Sequence, residues 1–353
     1  MSTQTFNPLD FKYTTENILE KTKDKGLCGI DNLGNTCYVN SIVQCLSHTE
    51  WLREYILIDK YKETVNVDKV QFILINEFSK LLRGLWYENA VVTPKSFLHY
   101  LQILSTKCGS GQFSGYSQQD SNELLLFILD LLHESVCRPN EHLITDDTEA
   151  GKTWFSMYKS SYSPIIQNFY NQIENKVSCN KCGNVSINYD SISILNVPIP
   201  SSKDRGELNI YDCFNQFNAI EDMNENNQYK CAYCDCLTDA KREEKLYKTS
   251  NILIISFKRF TKVEDMITQK NTKFINCPID ILDLTEIVKD KSCPKKYSLY
   301  AVSNHTGSLM GGHYYSHIKK GSNWYSCNDM YIQTLNKEDV ISDKAYILFY
   351  KAI

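Results

Sequence analysis

An α+β fold is predicted by a change of character along the chain. Up to about Val177 the apolar residues recur at helical spacing. Beyond it, short runs rich in Val, Ile, Tyr and Phe are cut by Asn, Asp, Gly and Pro, which is the punctuation of strands. Helices gathered in one half and strands in the other distinguish this class from an alternating α/β chain. The 353 residues leave room for one elaborate domain or two simpler ones. Hydrophobic residues make up 42% and charged residues 23%, enough for a sizeable core.

The first 25 residues are polar and mixed in charge, and read as a lead-in with one helix near 17–23. Over 36–48 the apolar positions Val39, Ile42, Val43 and Leu46 recur at three and four, and 70–86 repeats the pattern through Phe72, Ile75, Phe78 and Leu82. Residues 117–134 form the clearest helix. Ser117, followed three residues later by Asp120, reads as its cap, and the run beyond is apolar on nearly every face, as in a buried helix. Residues 138–152 read as a polar loop. The strands are expected at 185–189, 192–197, 252–257, 297–302, 313–318 and 345–350.

Several function classes are disfavoured. A net charge of −4 and a pI near 6.0 lack the basic excess of a nucleic-acid binder. The beginning of the chain has no apolar core of a secretory signal. The strongest apolar run, Leu124 to Leu132, is interrupted by Asp130 and is too short to span a bilayer. The expectation is a soluble, cytoplasmic or nuclear protein that binds neither nucleic acid nor membrane. Its fourteen cysteines are then expected to stay reduced, not to form a disulfide framework.

The most informative segment runs from Gly29 to Ser41. A tight polar loop through Gly34 delivers Cys37 to the first turn of the 36–48 helix. Unpaired N–H groups there favour an anion, which predicts a lowered thiol pKa. They also offer donors to an oxyanion, and Asn32, five residues back, can add a side-chain donor. The competing reading is one buried packing cysteine among fourteen. Near the other end, Gly311 and Gly312 precede His313, which begins a strand. A thiol–imidazole pair needs a third group to hold the ring in one tautomer, and Asn328 or Asp329 is placed to supply it. The order Cys, His, Asn matches the papain-like arrangement.

Cys179-x-x-Cys182 and Cys231-x-x-Cys234 offer four thiolates for a closed, structural zinc site. Cys236 is a competitor for Cys234, and Cys213 a more distant alternative. A single pair would read equally well as redox-active; two pairs in a reducing compartment point to zinc, with no organic cofactor.

Gly29-x-x-Asn32-Leu33-Gly34-Asn35-Thr36-Cys37-Tyr38-x-Asn40-Ser41 resembles the cysteine box of the ubiquitin-specific proteases. Residues 297–350 resemble their histidine box. Gln118-Gln119-Asp120-Ser121-Asn122-Glu123-Leu124 is similar to the acidic helix start between the boxes, and Phe257-Lys258-Arg259-Phe260 to the end of the strand before the histidine box. The resemblance implies a papain-like cysteine protease fold with a helical thumb, a β palm and zinc-ribbon fingers. Its domain plan is a lead-in over 1–25 and a catalytic domain over 26–353, helical over 26–165 and mainly β over 166–353. It implies a thiol-dependent deubiquitinase that acts as a monomer on ubiquitin and ubiquitinated proteins. Cys37 is then the nucleophile, His313 the base, Asn328 the orienting residue, Asn32 the oxyanion donor and Asp329 a supporting group. Gln118, Asp120, Glu123, His305 and Tyr314 fall where the family lines the channel for ubiquitin's tail. The chain departs from the pattern in three places: Asn328 stands where many members have Asp, Cys327 replaces an aromatic residue, and Phe169-Tyr170-Asn171-Gln172 lacks a glycine. A protease for another ubiquitin-like modifier and a catalytically silent ubiquitin-binding module are the rival readings.

Overall fold

The computed structural model describes residues 18, 20–87, 91–108, 111–140, 143, 145–201, 207–264, 267–308 and 311–353. In chain order its main helices are α1 (Cys37–Ser47), α2 (Glu50–Leu57), α3 (Phe72–Tyr87), α4 (Lys95–Lys107), α5 (Ser121–Val136) and α6 (Glu149–Tyr158). Its main strands are β1 (Asn171–Cys179), β2 (Val185–Ile192), β3 (Ile194–Val197), β4 (Ala240–Lys248), β5 (Ile252–Phe257), β6 (Lys296–Ser308), β7 (Gly311–Lys320), β8 (Asn323–Asn328), β9 (Tyr331–Leu335) and β10 (Ala345–Ala352). The chain divides into two compact units, one of Met1–Cys137 with Ala301–Val340 and one of Arg138–Tyr300 with Ile341–Ile353.

The first unit joins α1–α5 to the antiparallel strand order β6-β7-β8-β9. All eleven residues of α1 are buried. It packs against β7 and α5, and Val39, Ile42 and Leu46 lose all solvent contact. Each such side chain contributes about 1.5–3 kcal/mol on burial. That packing fixes the helix whose first residue is Cys37.

Helix α5 begins four residues later than the sequence predicts. Asp120, not Ser117, is its cap: the Asp120 carboxylate accepts from the Asn122 N–H at 2.7 Å. Both residue types can cap a helix, and the one whose side chain reaches a free N–H prevails. Residues 117–119 stay extended or irregular, and Gln118 is engaged elsewhere, as described below.

Two larger sets of paired strands and several two-stranded ribbons make up the β structure of the second unit. In one, β2, β1, β4 and the short strand Glu221–Met223 lie side by side, all antiparallel. In the other, β10 pairs antiparallel with β5, and β3 pairs parallel with β5. Every residue of β5 is buried. Just beyond it, Arg259 is 1% exposed. It donates from Nε to the Ala345 carbonyl at 2.7 Å and from Nη1 to the carbonyls of Asn271 and Lys273 at 2.9 and 3.0 Å. A guanidinium taken from water needs such acceptors, which gives the Phe-Lys-Arg-Phe run a structural role. Among the described residues no helix is long and apolar enough to cross a membrane. None of the fourteen cysteines is in a disulfide.

Candidate active site

Gly34 and Asn35 adopt positive φ, 96° and 55°, a conformation that glycine and asparagine reach at least cost. They turn the loop so that Cys37 opens α1. Asn32 organises this turn. Its Oδ1 accepts from the Gly34 N–H and the Thr36 N–H, both at 3.1 Å, and from the Thr36 hydroxyl at 3.2 Å. Three donors on the oxygen fix the orientation of the amide. Its Nδ2 then donates to Asp329 Oδ2 at 2.9 Å. An amide nitrogen carries two hydrogens, so that bond leaves one for another acceptor.

Cys37 is 2% exposed. The helix start was expected to lower its pKa, and here the expectation is corrected: the thiol is raised. Burial is the largest cause, and the Asp329 carboxylate adds to it. The backbone N–H groups of Tyr314, Tyr38 and Cys37 itself pull the other way without prevailing. Desolvating a thiolate costs more than these donors return. The resting group is therefore a neutral thiol, which needs a base.

His313 stands on β7 in the same unit. Its Nε2 lies 2.6 Å from Asn328 Oδ1. With the carbonyl oxygen as acceptor, Nε2 carries the proton and Nδ1 is left as the basic nitrogen. The approach to His313 is clamped. Gln118 Nε2 donates to the Gly312 carbonyl at 2.7 Å, and the Gly312 N–H donates to Gln118 Oε1 at 2.8 Å. Gly312 has no room for a side chain, since a Cβ there would sit 2.1 Å from His305 Nε2 and 2.7 Å from the Thr306 carbonyl.

Asn328 and Asp329 face different partners. Asn328 ends β8 and turns its oxygen to His313. Asp329, at φ 49°, turns its carboxylate to Asn32 and to Asn40 Nδ2, the latter at 2.8 Å. Its carbonyl accepts from the Ile30 N–H at 2.8 Å. The next residue comes so close that a Cβ on Gly29 would lie 2.2 Å from the Met330 carbonyl oxygen. Asn40 is the residue to which sequence reasoning gave no role: a polar amide within the apolar 36–48 helix, three positions after the candidate nucleophile, was the available signal. Of the remaining residues, Asp120 caps α5, and Glu123 is exposed in its first turn beside the Gln112 amide. His305 and Tyr314 are 1% and 3% exposed, with their rings 4.5 Å apart.

The family profile described as ubiquitin carboxyl-terminal hydrolase matches residues 28–350. The chain belongs to the ubiquitin carboxyl-terminal hydrolase family. It is 35% identical over 341 residues to ubiquitin carboxyl-terminal hydrolase 2 of Gallus gallus, covering 93% of this chain and 94% of that one. It is 32% identical to the Bos taurus protein of the same name, covering 93% of this chain and 55% of that protein. Against ubiquitin carboxyl-terminal hydrolase 4 of Saccharomyces cerevisiae the identity is 29%, covering 92% and 39%. The chain thus spans about half the length of several of the curated relatives it matches. A chain of the SAGA Ubp8/Sgf11/Sus1/Sgf73 DUB module bound to ubiquitin aldehyde superposes with a TM-score of 0.72 at 23% identity, over 98% of this chain and 74% of that chain. The fold is therefore the papain-like, thumb-palm-fingers fold of this family.

A second cluster lies in the other unit of this hydrolase-family chain. The Sγ atoms of Cys179, Cys182, Cys231 and Cys234 all fall within 4.8 Å of one another, with Cys182 and Cys231 3.7 Å apart. The first pair closes the turn between β1 and β2, where Gly183 takes φ 71°. In the second, Cys231 ends the first strand of the ribbon of Tyr229–Cys231 with Cys236–Thr238, and Cys234 lies in the turn between them. The Asn180 N–H donates to the Asp239 carbonyl at 2.9 Å and joins the two knuckles. The thiols are unlike. Cys179 is lowered to about 6, first by the Thr238 hydroxyl and then by neighbouring N–H groups, whereas Cys234 is raised to about 12, first by the Cys182 thiol. One thiolate opposes the next, which is the electrostatic frustration that a dication relieves. Cys236 stays outside the cluster, with Lys181 Nζ 3.6 Å from its sulfur. Cys213 is fully buried elsewhere.

Proposed function

We propose that this chain is a thiol-dependent deubiquitinase that hydrolyses the peptide or isopeptide bond after the C-terminal glycine of ubiquitin. The observation that carries the reading is the His313–Asn328 bond of 2.6 Å, in the same unit as a neutral Cys37 at a helix start. His313 Nδ1 takes the Cys37 proton as the sulfur attacks the carbonyl carbon. Asn328 keeps Nε2–H oriented and supports the imidazolium. The second hydrogen of Asn32 Nδ2 and the backbone N–H groups at the start of α1 hold the oxyanion. His313 returns the proton to the leaving amine, and a water it activates clears the thioester. Asp329 is a positioning residue, since it anchors Asn32 and Asn40.

The helical stretch 26–165 is assigned to the thumb, and the sheet of β1, β2 and β4 to the fingers. Gln118, Asp120, Glu123, His305 and Tyr314 are assigned to the tail channel and its walls. Cys179, Cys182, Cys231 and Cys234 hold a structural zinc ion, as their mutual distances favour. The partners are ubiquitin and ubiquitinated proteins, and the chain acts as a monomer in the cytoplasm or nucleus.

A panel of fluorogenic substrates carrying ubiquitin or other ubiquitin-like proteins tests the reading. Ubiquitin should be turned over fastest. Preference for another modifier would redirect the substrate, and no turnover of any would leave a silent binding module. Within the site, Asn328→Ala should lower kcat by tenfold or more, about 1.4 kcal/mol of barrier. Asp329→Ala should act instead through Asn32, and should also lower the pH at which Cys37 is alkylated, because a carboxylate that raises the thiol is gone. A larger kcat loss in Asp329→Ala, with no change in the alkylation profile, would transfer the orienting role to Asp329.

A further inference from the structure

The last turn of α5 carries a second group of metal-ligating side chains. His133 Nε2, a Glu134 carboxylate oxygen and Cys137 Sγ all lie within 4.8 Å of one another. His133 Nε2 is 3.9 Å from Glu134 Oε1, and Cys137 Sγ is 4.0 Å from Glu134 Oε2. His133 lies in the last turn of α5, and Cys137, four residues on, is its C-terminal cap residue. Tetrahedral ligands at zinc bond lengths lie roughly 3.3–3.8 Å from one another. Metal binding would draw the three donors, now within 4.8 Å of one another, in to that spacing.

Two further observations mark the place as one for a cation. Helix C-termini favour positive charge through their unpaired carbonyls. A cation also already sits there: Lys69 Nζ is 2.7 Å from Glu134 Oε2 and 3.1 Å from Cys137 Sγ. The ammonium engages two of the three donors directly. Hydrogen bonds from the Asn66 N–H to the Ser135 carbonyl, at 3.0 Å, and from the Ser135 hydroxyl to the Gln71 carbonyl, at 2.8 Å, hold the loop that carries Lys69 against the end of the helix.

We propose that His133, Glu134 and Cys137 form a second binding site for a thiophilic divalent cation of the zinc class, which the Lys69 ammonium occupies and which the metal enters by displacing it. A thiolate, an imidazole and a carboxylate form a borderline-soft donor set suited to zinc. Glu134 is 42% exposed at its side chain, so the fourth position is open to water. The site is separate from the four-cysteine cluster and owes nothing to the proposed protease reaction.

The test is a Co²⁺ titration of the full chain reconstituted with a single equivalent of zinc, which fills the four-cysteine cluster alone, read by thiolate-to-cobalt charge-transfer absorbance. Wild type should take up one further equivalent. Lys69→Met, which removes the resident cation, should bind it at least tenfold more tightly. Cys137→Ser and His133→Ala should lose it while keeping the thermal unfolding of the parent. A gain of affinity in Lys69→Met cannot arise from misfolding, so the proposal stays testable if a loss variant folds poorly. No further equivalent in either wild type or Lys69→Met would overturn it, as would an equivalent that survives in Cys137→Ser.

Discussion

Cys37→Ala should abolish hydrolysis of ubiquitin substrates and leave ubiquitin binding within a few-fold of the parent. The substitution removes one sulfur atom at the start of a helix whose other ten residues remain packed, and the proposed contacts to the tail and the body of ubiquitin lie on other side chains. His313→Ala should be nearly as severe, since general-base help is worth about 10²–10⁴-fold. The two variants differ at the sulfur. Burial raises the Cys37 thiol, so its alkylation in the parent should keep climbing with pH beyond the range of an ordinary cysteine. The increase should be shallow near neutral pH, where a raised thiol is protonated. Reaction with a propargyl-ended ubiquitin probe should be absent in Cys37→Ala and slowed in His313→Ala. Turnover by Cys37→Ala, or full-rate trapping by His313→Ala, would remove these residues from the reaction.

The legible parts of this chain were those where one local signal decides the outcome. Helix α1 was readable from Val39, Ile42, Val43 and Leu46 because its inner face is a regular apolar stripe. Strand β5 was readable because all six of its residues are apolar or small and all six are buried. Strand β4, Ala240–Lys248, was not: it is mostly charged, and its order comes from hydrogen bonding to β1 and Glu221–Met223, with few side chains in a core. Propensity and periodicity both fail when tertiary pairing supplies the stability. Helix α6 buries only Ala150 and gave no apolar signal, whereas α4 carries Phe97, Leu98, Leu101 and Leu104 at helical spacing and was legible but not read. In the site, the sequence brought Cys37, His313, Asn328 and Asp329 into view as a set of types in order. It could not divide the last two. That division rests on the turn at Asp329, where a positive φ sends adjacent side chains to different partners. The thiol pKa was misjudged because a helix start is visible in sequence and desolvation is not.

Loss of the four-cysteine site should damage substrate affinity more than chemistry. The cysteines belong to the unit of Arg138–Tyr300, whereas Cys37, His313 and Asn328 belong to the other. Cys179 and Cys182 close the β1–β2 turn, and Cys231 and Cys234 belong to the facing ribbon. Little apolar burial backs this end of the sheet: Val185 and Ile187 on β2 are 47% and 48% exposed, and Tyr233 and Leu237 are 80% and 62% exposed. A bound zinc ion would therefore supply much of the order here. Structural zinc in small modules contributes about 10–16 kcal/mol of apparent binding energy, far more than the few surface contacts can replace. Metal analysis of protein prepared without chelator should find about one tightly held zinc per chain, the capacity of one four-thiolate site. Cys182→Ser should raise KM for full ubiquitin substrates by tenfold or more, because the strands proposed to hold the folded body of ubiquitin would loosen. A short substrate made of the ubiquitin tail alone bypasses the fingers and should be cleaved at close to the parental kcat/KM. Equal losses on both substrates would mean that the zinc site supports the whole fold. Absence of zinc, with unchanged kinetics in serine variants of Cys179, Cys182, Cys231 and Cys234, would show that the cluster holds no functional metal.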